Sequence, residues 1–499
     1  MLEAYLKKSS KNNIIFFILS IVFGLTAGYV FFLSQGLLGN KLKLVVPVVL
    51  IAAPAIVLYL QYGFDITKPL LMLSIVSVPT FIDFDFLFRG DVSFWVSANG
   101  FPITLSDVFF YPLVTLWFLS YVLTPPAERK RIEFGGIIGT YLTLFLLVNI
   151  SSLFFVEHPF FSMSVIFMQI KCYVFYFYLI NHITDEESIL LVIRSLMLVL
   201  FMEAIIGIEQ KFIGTIFTAD FLGVGNVTSN IVQMGDKLIT RVSGTLGHPN
   251  NLAMFLNLML PIAIFSLFEE KSKKWRLFTL MTVCLALLTE IMTASRGGWL
   301  GLILSLFVAG IILTKRKGHN PFYFVVIGSL VAAFALITLF MVSSTIQTRL
   351  TEDDDGSAEV RYPLMQVARN MIFENPVFGT GLNNYTANMV EYDDTYLSIA
   401  SIYNYPVHNT FLLVGGETGL LGLGVLSILM VLLLYMGYQA VFRLTGMAMM
   451  YVLGACAGLL TWIIHNQVNL TLIWNDYILW VIVSAVATGS IMAKDRDQV

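Results

Sequence analysis

Residues 409–437 read NTFLLVGGETGLLGLGVLSILMVLLLYMG, an apolar run whose single ionisable residue is Glu417. A helix crosses the roughly 30 Å hydrocarbon core of a bilayer with about 20 apolar residues, because in lipid its backbone polar groups must be satisfied within the segment. This run is long enough. Outward from it, comparable runs recur along the chain, first near 14–33, 44–60, 70–84, 103–123, 136–156 and 161–180. The later ones lie near 189–209, 251–268, 277–294, 297–314, 321–343, 447–465 and 476–493. The third, 70–84, is the shortest.

Composition agrees. Apolar residues make up 57% of the 499 positions and charged residues 12%, against roughly half and a quarter in an average soluble domain. That deficit of charge excludes an ordinary soluble enzyme, and a net charge of -3 is too small to imply a nucleic-acid partner. Cys172, Cys284 and Cys456 all lie inside apolar runs, which indicates neither a disulfide framework nor a metal cluster. No small-residue cleavage site follows the first run, so it reads as a retained helix. The expected fold is an all-α polytopic transmembrane bundle in contact with membrane lipids.

Basic residues cluster at Lys7, Lys8 and Lys11, at Arg129 to Arg131, at Lys271, Lys273, Lys274 and Arg276, and at Lys315 to Lys317. With about fourteen spans all four clusters fall on one side, which the positive-inside rule makes cytoplasmic together with both termini. The polar segments 211–250 and 344–408 then face outward, dividing the chain into 1–210, 211–437 and 438–499. Within the second loop, Leu364, Met365, Ala368, Met371 and Ile372 follow the i, i+3, i+4, i+7 spacing of an amphipathic helix. Pro376 ends it, and FGTGLNN after it is turn chemistry. That helix is expected to lie on the outer membrane surface or across the helix bundle, forming a lid. The acidic run Glu352 to Asp355 lacks the alternation of a calcium loop and reads as a solvated turn.

Candidate chemistry gathers at the outer ends of spans. Arg241, in ITRVSGTLGHPNN, comes about ten residues before a span. Arg296, in TASRGG, sits in a hairpin short enough to hold its guanidinium at the interface. An arginine at apolar surface is costly and usually has a partner or a purpose, though either residue alone is equally read as snorkelling. His408, in YNYPVHNT, follows a proline at the mouth of the long run and is alone a cap, an interfacial residue or a base. Lys171, Arg194, Glu203 and Glu290 are further ionisable residues inside runs; Lys171 and Arg194 read as structural or as reaching toward the cytoplasmic surface.

The order and spacing of ITRVSGTLGHPNNLAMFLNLMLP, ITASRGGWLGLILS, VRYPLMQVARNMIFENPVFGTGLNNY and YNYPVHNTFLLVGGETGLLGLG, over about residues 235–430, resembles the O-antigen ligase and polymerase family. Members are lipid-linked glycan transferases similar to polytopic GT-C glycosyltransferases, which with the runs above implies about 12 to 14 spans. The resemblance implies transfer of a glycan from undecaprenyl diphosphate to an acceptor at the periplasmic face of a bacterial inner membrane. It assigns Arg241 and Arg296 to the donor diphosphate and His408 to the acceptor hydroxyl. Arg361 ranks next as a diphosphate contact, with Tyr362 beside it. Glu417 is a candidate for orienting His408, and His248, in HPNN, is either incidental or a further phosphate donor. Two guanidinium groups suit two phosphates through bidentate, charge-assisted hydrogen bonds, and a neutral imidazole can take the proton of an attacking hydroxyl. The chemistry demands neither metal nor other cofactor.

Ligation to an acceptor such as lipid A core is the leading function. Polymerisation onto a second lipid-linked glycan uses the same donor chemistry. A solute transporter is a more distant reading, since paired repeats and broken helices at mid-membrane are not evident in the sequence. Topology is open to a direct check: alkaline phosphatase fused near Asp355 should be active, whereas fusion after Lys317 should be silent. The reverse pattern would place His408 on the wrong side for an undecaprenyl-linked donor.

Overall fold

The computed structural model describes residues 66–80, 83–90, 92–213, 230–234, 237–316, 328, 357–396, 398–471 and 477–497. A short helix α1 (Thr67–Val76) is followed by α2 (Leu105–Leu123), α3 (Gly136–Ser151), α4 (Pro159–His182), α5 (Glu186–Phe212), α6 (Pro249–Ser266), α7 (Lys273–Met292) and α8 (Arg296–Arg316). The outer loop contributes α9 (Ser357–Glu374), α10 (Tyr385–Asn388) and α11 (Ile399–Ile402), and the chain closes with α12 (Thr410–Arg443), α13 (Gly446–His465) and α14 (Tyr477–Asp497). Among the described residues ten of these, α2 to α8 and α12 to α14, are long and apolar enough to cross a membrane. The expected polytopic helical bundle is therefore what the chain forms. Its apolar core runs from Ile66 to Ala493.

One expected span is not one. The run 70–84 divides into the ten-residue α1, about 15 Å long at 1.5 Å per residue, and a strand, β1 (Asp83–Phe86). Ten residues cannot cross the core. The DFDF alternation has the two-residue period of a strand, and β1 pairs antiparallel with β2 (Phe101–Thr104), Asp83 opposite Thr104 and Phe86 opposite Phe101. A second hairpin joins β3 (Asn230–Met234) to β4 (Lys237–Arg241). The expected spans 14–33, 44–60 and 321–343, the cluster Lys7, Lys8 and Lys11, Lys317, and the acidic run 352–355 lie outside the described residues.

Contacts separate the two ends of the bundle. Lys271 pairs with Glu186 at 2.9 Å, and Arg316 donates to the carbonyls of Val441 and Leu444, so the basic residues near 271–276 and 315–316 share an end with the 443–446 turn. Buried charges are tied within the bundle. Lys171 Nζ lies 2.6 Å from both Asp107 Oδ2 and the Pro102 carbonyl, and the Tyr477 hydroxyl donates to Asp107 Oδ1. Arg194 pairs with Glu270 at 3.3 Å, its guanidinium 4.9 Å from the Trp275 ring centroid.

At the opposite end α12 is broken. Gly419 has φ 67° and ψ -169°, and the interrupted ladder is repaired by the FGTG turn of residues 378–381. Leu420 N–H donates to Pro376 O at 2.7 Å, while Thr380 and Gly381 N–H donate to Gly416 O and Glu417 O, both at 2.9 Å. Each freed backbone group named here thus finds a partner in another segment, which a break inside a membrane helix requires. The turn approaches so closely that a Cβ on Gly379 would lie 2.4 Å from the Glu417 carbonyl carbon. Asn383 Oδ1 accepts from the Ser97 amide and hydroxyl, and its amide donates to Ala98 O and Phe161 O. The lid helix α9 carries its own core: Leu364, Val367, Ala368 and Met371 pack with Tyr385, Met389, Ile399, Val407 and Leu413. The apolar spacing read over 364–372 is the face it buries.

Gly379 has φ +65°, where a side chain is strained, so Gly379→Ala combines that strain with a backbone clash. It should destabilise the protein by about 2 kcal/mol or more, read as a lowered melting temperature in detergent. Gly424→Ala, where an added Cβ meets nothing within 4 Å, is the control and should be near neutral. Equal behaviour of the two variants would refute the interlock.

Candidate functional site

The end that carries the broken helix also collects the sequence-predicted residues. Arg241, at the end of β4 and 9% exposed, anchors two turns. Its Nε donates to Thr293 O and its Nη2 to Asn250 Oδ1, both at 2.8 Å. The adjoining Val242 N–H donates to Met292 O. Residues 243–245 are held from α5: Gln210 Oε1 accepts from Ser243 and Gly244 N–H, and Glu203 accepts from the Thr245 amide and hydroxyl. Glu203, a buried acid inside a span, therefore serves to seat the segment after Arg241.

The three-residue turn between α7 and α8 places Arg296 as the first residue of α8. Ala294 takes a left-handed φ of 51° there, a conformation a non-glycine residue holds only when its surroundings impose it. Both flanks of Arg296 meet His465, the last residue of α13. Ser295 Oγ is 3.3 Å from His465 Nε2, and a Cβ on Gly297 would lie 2.8 Å from His465 Cδ2. Thus the Thr293 to Gly297 turn links Arg241, Arg296 and His465.

His248 caps α6, its Nδ1 accepting from Asn250 N–H at 3.2 Å, an arrangement that needs the nitrogen unprotonated. Desolvation by the surrounding protein, with the charges of Arg241 and Arg361, holds its pKa down to about 4. His408 is not a cap. Asn409 fills that position, its Oδ1 accepting from Leu412 N–H at 3.0 Å. Burial and then the Arg361 charge lower the His408 pKa to about 4, so the ring is neutral near neutral pH. Its ring lies 5.4 Å from that of Tyr405, which in turn lies 5.0 Å from Trp95. Arg361, near the start of α9, acts electrostatically on His248, His408 and His465 alike. Three arginines and three histidines from separate elements thereby gather at one end of the bundle.

Two expected supporting residues do other work. Glu417 lies just before the break in α12, and its carboxylate interacts with the backbone N–H groups of Asn383 and Tyr385. It serves the turn, and His408 Nδ1 has no hydrogen-bond partner among the described residues. The reason Glu417 serves the turn is the break at Gly419, which docks the 378–385 segment onto this part of α12. Tyr362 is 66% exposed on the outer face of α9, with the Arg369 guanidinium 5.7 Å from its ring. His465 was not singled out from the sequence. An ionisable residue closing the apolar run 447–465 is the signal that marks it.

Among the described residues no group of three or more His, Cys, Asp or Glu side chains is arranged to hold a metal ion. The fold and this cationic end define a multi-pass membrane protein with a site suited to an anionic substrate. Residues 277–427 match the family model described as O-Antigen ligase, so the chain carries an O-antigen ligase-type domain and the resemblance read from its sequence is borne out. The matched stretch contains Arg296, Arg361 and His408; Arg241, His248 and His465 lie outside it. At a general level the match supports lipid-linked glycan transfer. No curated protein matches the chain.

Arg241 joins Thr293 and Asn250 through different nitrogens of one planar fork, which a lysine ammonium at the end of a flexible stem cannot reproduce. Arg241→Lys should cut glycan transfer sharply at matched membrane abundance. Asn250→Ala should cause a smaller loss, since it removes one of the two ties. Transfer at the unmodified level in Arg241→Lys would exclude a role for the fork.

Proposed function

We propose that the protein is an O-antigen ligase-type glycosyltransferase that moves a glycan from undecaprenyl diphosphate to an acceptor hydroxyl at the periplasmic face of the bacterial inner membrane. The observation that carries this reading is the gathering of Arg241 and Arg361 near the half-buried imidazole of His408, with Arg296 joined to the same end through the contacts of its neighbours with His465. In the reaction the bond from the anomeric carbon to the phosphate oxygen breaks and a glycosidic bond to the acceptor oxygen forms. The acceptor proton passes to His408, and undecaprenyl diphosphate leaves with the electron pair. Arg241 and Arg296, supported by Arg361, bind the diphosphate and stabilise the charge that develops on it. A diphosphate neutralised in this way leaves without a metal. The periplasmic assignment is supported by the basic residues near 271–276 and 315–316, which lie at the end opposite the site.

Purified protein supplied with an undecaprenyl-diphosphate-linked glycan should transfer it to lipid A core. Transfer instead onto a second lipid-linked glycan would make it a polymerase with the same donor chemistry. Absence of transfer to either acceptor counts against the proposal.

The state of His408 gives a pH test with a defined sign. Because its pKa is lowered, the ring protonates at lower pH than an ordinary imidazole near 6.5. The free-enzyme parameter kcat/KM, measured with donor varied, should hold from pH 7 to about pH 5 and fall toward the pKa of about 4, where the base is lost. His408→Ala should lower turnover by about two to four orders of magnitude with little change in donor affinity. If His408→Asn keeps most of the activity, another group is the base.

A further inference from the structure

His248 and His465 are the residues of this cluster that neither the family match nor the proposed chemistry uses, and His248 is taken up by the α6 cap. His465 is 1% exposed at the end of α13, and among the described residues its Nδ1 has no hydrogen-bond partner. Leaving a buried polar nitrogen unpaired costs about 1–3 kcal/mol, so such an atom is expected to have a task. The ring's orientation is set by its other edge. Cδ2 and Nε2 face the start of α8, with Nε2 3.3 Å from Ser295 Oγ and Cδ2 the nearest atom to a Cβ built on Gly297. Nδ1 lies on the edge across the ring from Cδ2. The charge acting on the ring is that of Arg361, and the neutral His248 lies nearby.

We infer that His465 is a further anion-binding residue, whose Nδ1–H donates to a phosphate oxygen of the diphosphate held by Arg241, Arg296 and Arg361. Resting on the function proposed above, the inference adds a fourth contact from outside the matched domain. The chemistry follows from the tautomer. A neutral imidazole has one N–H and one bare nitrogen. If Ser295 donates its hydroxyl proton to Nε2, the ring proton sits on Nδ1, where it is a donor. With Arg361 acting on the ring and no acceptor at Nδ1 among the described residues, an arriving anion would complete this donor. Ser295 acts through the ring as a positioning residue.

Asparagine and glutamine separate this role from a packing role. An asparagine amide nitrogen falls near the position of Nδ1, whereas a glutamine amide falls near Nε2. Binding of inorganic pyrophosphate and of undecaprenyl diphosphate to the purified full-length protein in nanodiscs is measured by calorimetry, with thermal unfolding as the folding control. His465→Ala and His465→Gln should weaken both ligands about tenfold or more, a normal loss for a hydrogen bond to a charged group. His465→Asn should stay within a few-fold of the unmodified protein, and Ser295→Ala, which leaves the ring in place, should weaken both ligands several-fold. Unchanged affinity in His465→Ala, or recovery by glutamine and not by asparagine, overturns the inference. So does a loss confined to the lipid ligand, which would place the contact away from phosphate. If the unmodified protein binds neither ligand, the diphosphate reading of the whole site fails with it.

Discussion

A break in a membrane helix must be repaired by protein, and here the repair builds the outer end of the molecule. At Gly419 the ladder of α12 stops, and its freed groups would be costly in a medium without water. The 376–381 segment supplies their partners, with a carbonyl for Leu420 and amides for Gly416 and Glu417. Because that segment is covalently continuous with α9 on one side and the Asn-rich turn on the other, satisfying the break also seats the lid. Asn383 then extends the connection to the 97–98 strand entry and to α4. Arg361 and His408, borne at either end of this docked region, come to the same place as a consequence.

The cationic side of the site is organised by turns. Arg241, Asn250, Thr293, Ser295 and His465 form a chain of hydrogen bonds and short contacts that connects β4, α6, the turn before α8 and α13. Each member fixes a neighbour's position, so the Arg241 guanidinium is held by the protein's own groups. Such preorganisation is what makes electrostatic stabilisation of developing charge effective, since little reorganisation accompanies the reaction.

Histidine among arginines has a defined state. Burial and neighbouring positive charge both disfavour imidazolium, and at His248 and His408 the two effects act in the same direction. In the proposed chemistry, the Arg361 charge offered to an anion also keeps His408 in the form that accepts a proton. At His248 the same conditions preserve a bare Nδ1 for the α6 cap. One electrostatic field supports two different roles, and the contacts of each ring decide which it takes.

The sequence by itself determined the membrane class, the positions of the ten described spans, the apolar face of α9 and the turn chemistry of FGTGLNN. These are local properties: hydropathy over a span, helical periodicity, and backbone conformations that glycine and asparagine accommodate. It also marked Arg241, Arg296, Arg361 and His408, through their place at span ends and the family spacing. What only the tertiary structure decided depends on contacts between distant segments. The run 70–84 is apolar enough to suggest a span, but its end enters the DFDF strand that pairs with residues 101–104, which leaves α1 short. Glu417 lies on the same apolar run as His408, yet the break at Gly419 turns its carboxylate to the 383–385 backbone. His465 is separated from Ser295 by 170 residues, and nothing local to either reveals that they meet. Periodicity reports which face of one helix is buried; it carries no information on which distant turn that face will touch.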